Sequence, residues 1–146
     1  MGADMTEDLR QQIPSSLSDI IRRRRDEFEV GLASAEELAA VDGLIDADAA
    51  VAATLDDWRA VVLRDLTEDR YLLLVYGENS ETGKLRRTSG VRILDLDRML
   101  VRTQDAVYAL GKPANGNPPF EMIFDICAEF HRRGLGERYG VPQVWE

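Results

Sequence analysis

The chain is short of the residues that catalytic and metal sites recruit most often. It holds one cysteine, Cys127, and one histidine, His131. A single thiol excludes an internal disulfide, and one cysteine with one histidine offers no paired metal-ligand spacing. There is no G-x-S-x-G nucleophile motif and no glycine-rich phosphate loop. Apolar runs are short: none approaches the roughly 18 residues that a membrane-spanning helix needs, and the N-terminus carries no secretory apolar segment. These absences lead to the expectation of a cytoplasmic protein with no cofactor, no metal, no membrane contact and no enzymatic activity. The two remaining reactive side chains fit that expectation. Cys127 falls on an apolar helical stripe, where a thiol is inert, and His131 lies between Phe130 and Arg132 near a helix end, where a structural role is commoner than a catalytic one.

What is present is acidic, and unevenly so. The net charge is −9 over 146 residues. Residues 1–57 hold 14 acidic and five basic groups, residues 58–113 hold eight and ten, and residues 114–146 hold five and three. The excess negative charge therefore belongs to the N-terminal part, an asymmetry that suggests a partner surface more than a requirement of folding.

The length fits a single domain over 1–146. Residues 1–14 are polar and read as flexible. Residues 15–54 read as a pair of acidic helices forming an N-terminal hairpin. In the first, from about 16 to 30, Leu17, Ile20, Ile21, Arg24 and Phe28 share a face at helical spacing. Arg22, Arg23, Arg24 and Arg25 tempt a phosphate-binding reading, but Asp19, Asp26, Glu27 and Glu29 stand four residues from one or another of them and would neutralise the run along its own helix. The second helix starts at a capping box, Ser34 with Glu37, and is expected to reach about Ala53. Seven carboxylates (Glu36, Glu37, Asp42, Asp46, Asp48, Asp56 and Asp57) follow one another there without a basic residue. The spacing around Asp42, Asp46 and Asp48 does not match a calcium loop.

Residues 58–111 alternate β-branched and aromatic runs with turn clusters, which predicts an antiparallel sheet or small open barrel of four to five strands. Arg70 to Tyr76 is nearly continuous in apolar residues and predicts a central strand covered on both faces. Gly90 interrupts a long extended run where a bulge or corner would let the sheet curl. Residues 117–134 read as a closing helix, with Asn117 as its cap, Pro118 in its first turn, and Phe120, Ile123, Phe124, Cys127 and Phe130 inward. A tail, 135–146, ends near Trp145. The fold class expected is thus α+β.

Several short segments, Leu55-Asp56-Asp57-Trp58-Arg59, Thr88-Ser89, Leu94-Asp95, Arg102-Thr103 and Tyr108-x-Leu110-Gly111, resemble a family of small bacterial proteins common in alphaproteobacterial genomes. That family is known as a domain of unknown function. The resemblance covers residues 55–113 and implies no activity.

Two functional readings compete. The first is a non-enzymatic protein-binding module of the inhibitor, immunity or anti-defence kind. It would meet a protein with a basic surface through Asp42, Asp46, Asp48, Asp56 and Asp57, with Trp145 as an aromatic anchor. The second is a small barrel that binds nucleic acid through Arg86, Arg87, Arg92, Arg98 and Arg102, with Tyr71, Tyr76 or Tyr108 stacking on bases. Arginines gathered on one concave face beside exposed aromatics would favour the second, and arginines paired with Asp95, Asp97 or Asp105 the first. Self-association is compatible with either.

Overall fold

The structure, a computed structural model, describes residues 16–143. The segment 1–14 and Trp145 lie outside the described residues. The class is α+β, as expected, with more strands than four or five. Strands β1 (Phe28–Leu32), β2 (Val51–Asp65), β3 (Arg70–Asn79), β4 (Leu85–Arg87), β5 (Val91–Asp95), β6 (Leu100–Thr103) and β7 (Val107–Leu110) form one sheet, joined by helices α1 (Ala35–Ala40) and α2 (Phe120–Arg132).

No N-terminal helical hairpin exists among the described residues. Only Leu17–Asp19 of the first expected helix winds, as a single 3-10 turn. The backbone amides of Arg22 and Arg23 both donate to the Tyr139 carbonyl, at 2.8 and 2.9 Å, so the tail takes the donors that a helix would use. Phe28, Glu29 and Val30 then enter β1, because pairing with β2 outweighs a modest helical preference. Two of the expected i,i+4 pairs are replaced: Glu27 takes Arg24 and Arg138, and Glu29 takes Arg64. The second helix keeps its capping box, with both Ser34–Glu37 bonds in place, but stops at Ala40. Past that point Asp42 and Gly43 are poor helix formers, and the Asp46 carboxylate draws the Asp48 amide into a local turn.

The strand order is β4-β3-β2-β7-β6-β5, with β1 also on β2. All pairings recorded with registers are antiparallel except β2 with β7, which run parallel with Leu55 opposite Leu110. The two ends of this order, β4 and β5, are consecutive in the chain. A flat sheet would hold them about 24 Å apart, whereas residues 88–90 can span only about 14 Å. The sheet is therefore curled. Arg86 of β4 accordingly reaches the Tyr108 hydroxyl of β7, 3.2 Å away, past two intervening strands.

A bulge in β2 sets which side chains face inward. Asp57 adopts φ +48°, so Leu55 and Trp58, three apart, lie on the same side, and both meet Gly77 of β3. A side chain at Gly77 would place its Cβ 2.8 Å from that of Leu55. Leu55, Val75, Leu94, Val101, Tyr108 and Leu110 fill one core cluster, with Trp58 against it, and the Trp58 Nε1–H donates to the Gly111 carbonyl at 3.0 Å. Ile45, Leu100 and Val107 form a second, smaller cluster. As expected, β3 is buried without a break, over residues 73–77.

By packing, the described residues divide into two compact units: 32–63 with 71–115, and 16–31 with 64–70 and 116–143. The sheet clusters belong to the first. In the second, α2 starts two residues later than expected, because Pro119 holds Pro118 outside helical geometry. Its buried face is Met122, Ile123, Ile126, Cys127 and Phe130, while Phe120 is 39% exposed. Arg132 and Arg133 both bond Glu129, and Gly134, at φ +74°, ends the helix.

Candidate functional site

The acidic residues 42, 46 and 48 lie on a loop, not on a helix, and the loop is fastened from beneath. Residues 41–43 lie against the outer edge of β5: Leu94 donates to the Val41 carbonyl at 2.8 Å, and Gly43 donates to the Leu94 carbonyl at 3.1 Å. Ile45 then drops into the smaller core cluster. Its amide donates to Asp95 Oδ2 at 3.0 Å. Asp95 is only 2% exposed, yet it stays ionised: the Ile45 amide holds its carboxyl below the usual carboxylate value, helped by the Arg98 amide and guanidinium and opposed by burial. Arg98 Nη1 lies 3.2 Å from Oδ2.

The residues adjoining this clamp point the other way. Leu44 is 78% exposed and Leu96 44%. Asp42, Asp46 and Asp48 are exposed around Leu44 in sequence. Single exposed leucines are common on protein surfaces. Leu44 differs from the other exposed apolar side chains in being the most exposed of them and in standing among carboxylates beside an anchored neighbour, Ile45.

The loop also forms one wall of a groove of about 460 Å³. Asp46, Ala49 and Ala50 face Arg102 of β6 and the turn of Gln104, Asp105 and Ala106. The Arg102 guanidinium has no hydrogen-bond or ion-pair partner among the described residues. Thr103, its neighbour, is buried, and its hydroxyl receives the Asp105 and Ala106 amides, which shapes the turn.

No family model matches this chain, and no curated protein or solved structure matches it. The short segments between residues 55 and 111 singled out in the sequence hold the fold together. Leu55, Leu94, Tyr108 and Leu110 are core, Asp57 makes the bulge, Trp58 bonds Gly111, the Thr88 hydroxyl receives the Val75 amide at 3.0 Å, and Asp95 clamps the loop. Among the described residues the Arg102 guanidinium and the buried Ser89 hydroxyl make no such bond.

The other sequence candidates are dispersed. Asp56 and Asp57 belong to β2, where Asp56 packs beside Gly111. Arg86 and Arg87 lie on β4 at one end of the strand order. Arg92 lies on β5 at the other end, in the bulge between Val91 and Ile93, with Arg98 in the following turn. Arg86 stacks over the Tyr108 ring at 5.1 Å. Tyr76 and Tyr108 are buried, and of the three tyrosines named only Tyr71 is exposed.

His131 and Cys127 are built into the second unit. His131 Nε2 lies 3.0 and 3.1 Å from the carbonyls of Val141 and Pro142, so this nitrogen carries the hydrogen and ties the tail to the end of α2. Burial pushes the Cys127 thiol up to about 12, with Arg22 lowering it only in part. Among the described residues no three His, Cys, Asp or Glu side chains converge as a metal site, and no helix is long and apolar enough to cross a membrane. Sequence reasoning missed Leu44 and Leu96. Helical spacing to about Ala53 places Leu44 on an inward face, and its exposure follows only from the helix stopping at Ala40.

Proposed function

We propose that the chain is a non-enzymatic, cytoplasmic protein-binding module of the inhibitor, immunity or anti-defence kind, which engages a basic partner surface through residues 42–48. The observation that carries this reading is Leu44, 78% exposed between Asp42 and Asp46 on a loop clamped by Ile45 and Asp95. A rigid display of one aliphatic anchor within a carboxylate rim suits a basic surface with an apolar hollow. The anchor supplies desolvation, and the carboxylates supply steering and register. Because the loop is already held, little ordering entropy is lost on docking.

Nucleic-acid binding is the weaker reading. It calls for arginines gathered beside exposed aromatics, whereas Arg98 is bound to Asp95 and Arg86 to a buried Tyr108.

The test is affinity capture from an extract of the native cell, comparing wild type with Asp42→Asn/Asp46→Asn/Asp48→Asn and with Leu44→Ala. A common partner, identified by mass spectrometry, should be held by wild type, lost from both variants and released by salt. If both variants retain the same partners as wild type, the loop is not the docking surface.

A further inference from the structure

The groove around Arg102 has a charge pattern that the docking loop leaves unexplained. A guanidinium and two carboxylates, Asp46 and Asp105, line the same space of about 460 Å³, yet Arg102 pairs with neither. An arginine with a carboxylate in reach normally takes it in a two-pronged bond. Here no ion pair joins Arg102 to either carboxylate, and two small side chains, Ala49 and Ala50, complete this part of the lining. Gln104 adds an exposed carboxamide with no hydrogen-bond partner among the described residues. The volume lies within the roughly 300–1,000 Å³ that small-molecule sites occupy.

We propose that this groove binds a small zwitterion, a molecule with a carboxylate and an ammonium group a few ångströms apart, as in a free α-amino acid or the ends of a dipeptide. The carboxylate meets the Arg102 guanidinium, and the ammonium lies toward Asp46 and Asp105. A purely anionic ligand would be repelled by the two carboxylates, and a purely cationic one by Arg102, so only a ligand carrying both signs is favoured at every contact. The proposal shares Asp46 with the docking reading but turns on Arg102, which has no part in that reading, so the Arg102→Gln variant distinguishes the two.

Four probes separate these contributions in a titration followed by amide ¹⁵N–¹H NMR: L-alanine, L-alanyl-L-alanine, N-acetyl-L-alanine (carboxylate only) and L-alaninamide (ammonium only). The expected result is saturable shifts at residues 46–50 and 103–107 with at least one zwitterion, and binding at least roughly tenfold weaker for both single-charge probes. Tighter binding of L-alanine would identify a free amino acid as the ligand, and tighter binding of the dipeptide a peptide. Arg102→Gln should abolish the shifts while leaving the thermal midpoint in place, since Arg102 is exposed and its guanidinium makes no bond among the described residues. The proposal is overturned if no zwitterion gives saturable shifts in the millimolar range, if the single-charge probes bind equally well, if the shifts map elsewhere, or if Arg102→Gln binds as wild type does.

Discussion

The Ile45 amide donates to the buried carboxylate of Asp95, 3.0 Å away and fifty residues on in the chain. This bond fastens the acidic loop to the sheet, and its charge gives it a pH dependence. The folded-state pKa of Asp95 lies below its ordinary value of 3.8. The unfolded chain therefore takes up the proton first as pH falls. The stabilisation is complete well above 3.8 and is lost as pH drops through the depressed folded-state value. Asp95→Asn should lower the urea midpoint at neutral pH and speed hydrogen exchange at the Ile45 amide. The gap between variant and wild type should narrow as pH falls below 3.8. A gap that stays constant with pH would mean that the charge of Asp95 contributes nothing.

The β2 bulge makes a second prediction, in two parts. Asp57 sits at φ +48°, which Asp tolerates but a β-branched residue does not. Asp57→Val should cost about 1–3 kcal/mol, and Asp57→Gly should change stability by much less. Gly77→Ala would push a methyl into the Leu55 Cβ, an atom fixed close to the backbone, and should cost about 1–3 kcal/mol by overpacking. Chemical denaturation of the three variants checks both parts. Equal losses for Asp57→Val and Asp57→Gly would rule out backbone strain as the cause.

Cys127 should be silent in the folded protein. Its thiol is fully buried and its pKa is pushed up to about 12. A thiol-specific chromogenic reagent at mildly alkaline pH should find no reactive cysteine in the native state and one in denaturant. Rapid native labelling would show that α2 opens readily.

His131 should matter to the tail. Removing its ring as His131→Ala frees the Val141 and Pro142 carbonyls, at a net cost of about 0.5–1.5 kcal/mol per hydrogen bond. Limited proteolysis should then cut sooner within residues 135–142, with sheet residues such as Val75 and Val101 as protected as in wild type. Unchanged cleavage would show that the tail is held by other contacts.

Parts of this architecture were legible in the residues and others were not, for physical reasons. Strands β3, β6 and β7 and the Ser34–Glu37 capping box carry their signals within a few residues: a continuous apolar run, a Gln104-Asp105 turn, a Ser with Glu three later. The failures came where distant partners decided. Residues 16–30 have helical spacing, but Tyr139 takes their amides and β2 takes their strand. Residues 41–53 keep apolar residues at helical spacing past Asp42-Gly43, but their unneutralised aspartates weigh against a helix there. The parallel pairing of β2 with β7 and the Ile45–Asp95 clamp join residues some fifty apart, which no local pattern encodes. At the candidate site the acidic residues were readable from composition. The exposure of Leu44 and the lack of a partner for Arg102 among the described residues were not, because both depend on where the loop and β6 end up.

The contact of residues 41–43 with β5 bears on how safely this protein can be concentrated. An uncovered strand at the end of a sheet is a template on which further chains add and grow into fibrils. Here one end of the six-strand order is β4, only three residues long, and the other is β5, where Leu94 already bonds Val41 and Gly43. The acidic loop is thus a cover as well as a display. Cutting it away should do more than remove a docking surface, because it would bare the edge of β5 and raise the tendency of the chain to aggregate.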